Sequence, residues 1–177
     1  MVYPSSLAAC CFLLLSGFAA GAENLAPIVF PEVDGWAKGT RYDEEPPRGK
    51  VPRSSINYTT KAKVGKDYIR VDVQVTLTNG RESKQLIPDF EKKILENPVQ
   101  RETKKTGSDE RKVGDKTVAR STFSSSFGAD NPVVTELYVI PYGKHVIHLQ
   151  HTGPAGDAQA RSEAVGKLVA AIAAAAK

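Results

Sequence analysis

Three histidines, a serine cluster, an acidic run and one alternating polar row are the side chains here whose types and spacing could support chemistry. His145, His148 and His151 recur at intervals of three. On a helix that spacing would gather them near one face and suggest a metal site. On a strand, His145 and His151 share one side about 20 Å apart at roughly 3.3 Å per residue, and His148 points the other way. The surrounding residues read as a strand, so the trio does not converge on one ion and no metal site is expected. Ser121, Ser124, Ser125 and Ser126 offer hydroxyls, but none sits in a glycine-flanked elbow or beside a histidine, so a structural role is expected. Asp43, Glu44 and Glu45 could face a hard cation, but nothing nearby fixes a geometry, and the run reads as a solvated loop. No catalytic constellation and no cofactor motif emerges. The candidate surface for a ligand or partner is Trp36, Arg70, Asp72, Gln74, His145 and His148, although Trp36 is read first as the core anchor where the leading segment docks. A hydrolase or lyase site built from His148, His145 and Asp72 is the rival reading, and it requires a cleft that joins a histidine, a carboxylate and a hydroxyl.

The element that must carry the polar row is Asp67–Thr78. Ile69, Val71, Val73, Val75 and Leu77 alternate with Arg70, Asp72, Gln74, Thr76 and Thr78. Successive strand residues face opposite sides, so this predicts a long strand with one dry and one wet face, as in an antiparallel sheet covered on one side. Arg53–Thr60 precedes it as the other arm of a hairpin, turned by Lys61–Lys66, and Asn79-Gly80 ends the second arm. A helix follows over Ile87–Glu96, with Ile87, Phe90 and Ile94 on one stripe, Pro88 in the first turn and Asn97-Pro98 as the stop. A start nearer Glu82 would add Leu86 to that stripe. Gln100–Lys112 is polar throughout and reads as an edge strand or exposed loop. Thr117–Phe127 is a strand near an edge. Val133–Ile140 and His145–His151 form a late hairpin around Pro141–Lys144, with Leu137 and Val139 expected to face the same side as Ile147 and Leu149. Asp157 caps a final helix whose stripe is Val165, Leu168, Val169 and Ile172, with Arg161, Glu163 and Lys167 off it.

Residues 1–22 carry no charged side chain, contain the apolar run Leu7–Leu15 and end in Ala20-Gly21-Ala22, a small-x-small pattern suited to signal peptidase. Export with cleavage after Ala22 is the expectation, to the periplasm or medium. Lipid attachment through Cys10 is the weaker reading, since most of the apolar run lies beyond it. The run falls short of the roughly 20 residues a span requires, so no stable membrane span is expected after cleavage. Both cysteines, Cys10 and Cys11, lie in this segment, so the remainder forms no disulfide. Residues 23–52, rich in Pro and Gly, should dock on a single domain over 53–177, and a monomer is expected. The net charge of +4 is mild and dispersed, which speaks against nucleic acid. Lys61, Lys63, Lys66, Lys104, Lys105, Arg111 and Lys112 would be the groups for attachment to an anionic surface, although a solvated polar face is the favoured reading of these charges.

The order is thus a leading segment, a hairpin, a helix, a run of strands and a helix. It defines an α+β domain with an antiparallel sheet of about five to seven strands packed by the mid-chain and C-terminal helices. Trp36 in the leading segment, Val113–Arg120 entering a strand, the Leu137–Leu149 hairpin and the closing amphipathic helix together resemble PsbP/Mog1-like domains over Val29–Ala173. The resemblance implies an α/β/α sandwich and a mostly non-catalytic role, in which an exported module binds an envelope protein or a small ligand.

Overall fold

The structure is a computed structural model and describes residues 30–44, 52–128 and 131–176; the segment read as a signal peptide, with Cys10 and Cys11, lies outside them. In chain order the elements are β1 (Trp36–Lys38), β2 (Tyr42–Glu44), β3 (Arg53–Thr60), β4 (Arg70–Leu77), α1 (Ser83–Leu95), β5 (Arg101–Val113), β6 (Lys116–Phe127), β7 (Asn131–Tyr142), β8 (His145–Pro154) and α2 (Ala158–Ala175). The strands form one antiparallel sheet in the order β1-β3-β4-β8-β7-β6-β5, with β2 also on β3. The α+β class and antiparallel sheet agree with the sequence. The count of eight strands exceeds the expected five to seven because the leading segment contributes β1 and β2.

Burial along β4 follows the alternation. Val71, Val73 and Val75 are fully covered, and their core continues through Ile56, Tyr58, Ile140, Ile147 and Leu149 to Val165, Leu168, Val169 and Ile172 of α2. The predicted α2 stripe is therefore the face that closes this side of the sheet. Arg161, expected off the stripe, is buried: its guanidinium donates to the Pro154 carbonyl and lies against Gly153, where a side-chain carbon would sit 2.8 Å from it.

The opposite face has a second core. Leu86, Phe90 and Ile94 of α1 pack on Phe123, Leu137, Val139 and Val146. The helix begins at Ser83, where Gln85 turns back so that its Oε1 accepts from the Glu82 amide at 3.0 Å. Pro88 consequently sits in the second turn instead of the first. The β7–β8 register also differs from expectation. Tyr142 pairs with His145 across a two-residue Gly143-Lys144 turn, with Gly143 at φ 54. Leu137 therefore opposes Gln150, Val139 opposes His148, and these face α1. Ile147 and Leu149 face α2 beside Tyr138 and Ile140. Burial on both faces is why β7 is apolar at both parities.

α1 covers the β6–β7–β8 portion of its face and reaches β5 through the Lys105–Glu91 and Lys84–Glu110 pairs. The outer side of β3 and β4 is left for polar residues, and β2 flanks it.

Candidate functional site

The uncovered part of the sheet is concave. Two rungs of polar side chains cross it: Asn57 on β3 opposes Asp72 on β4, which opposes Gln150 on β8; Ser55 opposes Gln74, which opposes His148. Cross-strand neighbours on one face stand roughly 5 Å apart, so six polar groups form a compact grid. With Arg70 and with Thr40 and Tyr42 from the β2 region, they line a depression of about 260 Å³. The grid is a consequence of packing: once Ile56, Tyr58, Val71, Val73, Val75 and Leu149 turn inward, the intervening residues must turn outward.

The two charged side chains that line the depression are paired. Arg70 Nε donates to Asp72 Oδ1 at 3.2 Å, and both groups are exposed, at 66% and 57%. His148 marks the boundary with α1, its ring centroid 4.3 Å from that of Phe90. Burial, followed by the nearby charges of Lys93 and Arg53, pushes its pKa down to about 3, so the imidazole is neutral at ordinary pH. Its Nδ1 is enclosed and has no hydrogen-bond partner.

Four of the six sequence-derived candidates meet here: Arg70, Asp72, Gln74 and His148. Trp36 does not. It is 4% exposed and belongs to the core under α2, where it serves packing. Its role is to seat the leading segment, which Tyr58 Oη of β3 anchors further by donating to the Pro31 carbonyl at 2.8 Å. His145 lies at the end of β8, 5.7 Å from the Tyr142 ring and beside the start of α1, on the opposite parity from His148. The dispersed histidine–carboxylate set His148, His145 and Asp72 is thus split between two places. Asn57, Gln150 and Tyr42 complete the depression. The first two were readable as the outward parity beside Ile56, Tyr58 and Leu149; Tyr42 gave no such signal.

A second polar cluster sits on the α2 face. The Glu136 carboxylate accepts from Arg120, from Tyr138 Oη at 3.0 Å, and lies 2.9 Å from His151 Nε2. Arg120 also donates to Ser162 Oγ of α2 at 3.1 Å. Burial opposes ionisation of Glu136, but the His151 and Arg120 hydrogen bonds and charges outweigh it and hold the carboxyl at about 2. Tyr138 is pushed up to about 12 by burial and by that carboxylate. Glu136 and His151 are 3% and 2% exposed at their side chains. A carboxylate held by three donors inside the protein is a cross-brace between β6, β7, β8 and α2, and Glu136 and Arg120 also line a depression beside Ser162 and Glu163 of α2. Among the described residues, no set of three or more His, Cys, Asp and Glu side chains is placed to hold a metal ion. Nor, among them, is any helix long and apolar enough to cross a membrane.

No known protein-family model matches this sequence, and a search of curated proteins finds no match.

Proposed function

We propose that the chain is an exported, non-catalytic binding module of the cell envelope whose ligand or partner is received in the depression over β3, β4 and β8. The observation that carries this is the pairing grid itself. Side chains from three adjacent strands hold hydrogen-bonding groups on a rigid floor, and the one ion pair and one histidine among them are respectively self-compensated and neutral. Such a surface recognises by hydrogen bonds. General base chemistry would need a histidine or carboxylate oriented by a partner, and that arrangement occurs instead in the buried Glu136–His151 pair, outside this depression. Residues 1–22 support export. The helix on each face of an antiparallel sheet, in this element order, supports kinship with PsbP/Mog1-like domains, whose members are mostly non-catalytic. The test is capture from envelope extract with the 23–177 protein, run beside thermal-shift screening of small ligands. A retained partner or a stabilising ligand, lost in Asp72→Ala or Gln74→Ala, is expected. Empty capture together with no thermal shift would refute the proposal.

A further inference from the structure

The depression also specifies a ligand chemistry, given the proposal above that it is a binding site. Its charges cancel, because Arg70 and Asp72 pair at 3.2 Å, and its buried histidine is neutral. Among the side chains that line it, an anion or a cation therefore meets no unpaired opposite charge; Lys93 and Arg53, whose charges reach His148, are not among them. What remains are planar, two-pronged groups. Asn57, Gln74 and Gln150 each present a donor and an acceptor side by side, and Asp72 and Arg70 add a planar acceptor pair and a planar donor pair. Adjacent hydroxyls on a sugar ring donate and accept at once, so each such group can engage two of them. Tyr42, which also lines the depression, is 66% exposed and offers a flat apolar ring to the C–H face of a saccharide. A peptide would be poorly served, since strand addition needs a free sheet edge. Here the backbones of β3, β4 and β8 are already committed to neighbours on both sides. The space of about 260 Å³ is that of a single ring with its substituents.

We propose that the depression between β2 and α1, floored by Asn57, Asp72, Gln74 and Gln150, binds one ring of a neutral saccharide, with Tyr42 stacking on it.

The experiment is an amide NMR titration of the 23–177 protein. The probes are glucose, galactose, mannose and N-acetylglucosamine with their short oligomers, against inorganic phosphate, acetate and glycine as charged counter-probes. The expected result is saturable shifts at residues 55–57, 70–74 and 148–150 with at least one saccharide. Tyr42→Ala and Gln74→Ala should each weaken the Kd by about tenfold, the effect of roughly one good contact, while leaving the melting temperature unchanged. Shifts of these residues by phosphate, acetate or glycine but by no saccharide would overturn the saccharide assignment and leave the binding site standing. Saccharide shifts confined to other surfaces would overturn it equally. If neither the probes nor a fractionated envelope extract moves these residues, the depression is not a binding site and both proposals fall.

Discussion

Replacing Glu136 by Gln keeps the shape of the buried brace and removes its charge. In the native protein the carboxyl is lowered from 4.5 to about 2, a difference worth about 3 kcal/mol at neutral pH. Because the folded pKa lies below the unfolded one, this stability is complete above pH 4.5 and is lost as pH falls toward 2. In Glu136→Gln, Arg120 keeps Ser162 and a distant Asp109 at 3.7 Å but loses its close counter-charge. Removing one partner of a buried pair typically costs about 3–5 kcal/mol, in line with the titration figure. Urea denaturation at pH 7 should therefore show a loss of about 3 kcal/mol, or roughly 10 °C in melting temperature for a domain of this size. At pH 3 the gap between variant and wild type should shrink to less than half. A loss under about 1 kcal/mol, or a gap that does not change with pH, would refute the view that this cluster is a stabilising brace.

Three further perturbations probe other parts of the fold. His148 has a folded pKa of about 3 against 6.5 unfolded, so only the unfolded chain takes up its proton as pH drops through that interval. His148→Gln should flatten the decline of stability between pH 6.5 and 4.5, measured by chemical denaturation; an unaltered slope would show that the imidazole is not buried neutral. Leu168, fully buried between α2 and the sheet, should cost about 2–5 kcal/mol when cut to Ala, read from the urea midpoint. Gly65 lies at φ +67, and a side-chain carbon there would fall 2.4 Å from the Asp157 carboxylate. Gly65→Ala should lower stability by about 1–3 kcal/mol in a thermal melt, and a neutral result would mean that the β3–β4 turn moves freely from the start of α2.

How far the sequence reaches can be judged residue by residue. The strand alternation at Val71–Val75, the α1 stripe and the α2 stripe are local patterns imposed by a single flanking surface, so they survive in one dimension. Arg70, Asp72 and Gln74 followed from the same parity, and His148 was separated from His145 and His151 by strand geometry alone. The β7–β8 register was not legible, because whether Gly143-Lys144 or a longer stretch forms the turn decides which side chains share a face. Glu136 was overlooked although a carboxylate inside the apolar run Val133–Ile140 demands a partner. Its partners come from β6, β8 and the neighbouring Tyr138, and no local spacing announces Arg120. Trp36 shows the converse: residue type allowed a stacking surface beside the favoured core anchor, and burial places it in the core.

The long outer strand β5 bears on how copies of the chain meet. Its regular stretch, Gly107–Val113, pairs with β6 on one side only, and register shifts interrupt the ladder before it. Two copies joining edge to edge about a twofold axis must place some residue opposite itself. Within Asp109–Lys112 every such choice sets aspartate on aspartate, glutamate on glutamate, arginine on arginine or lysine on lysine. Sliding the axis toward residue 106 brings in the irregular stretch, where the outward amides fall out of phase. With the axis on Asp109 or Lys112 the like pair has no opposite-charge pair beside it, whereas on Glu110 it is flanked by two Asp109–Arg111 pairs and on Arg111 by two Glu110–Lys112 pairs. The order of four charged residues thus narrows edge pairing between copies to those two registers.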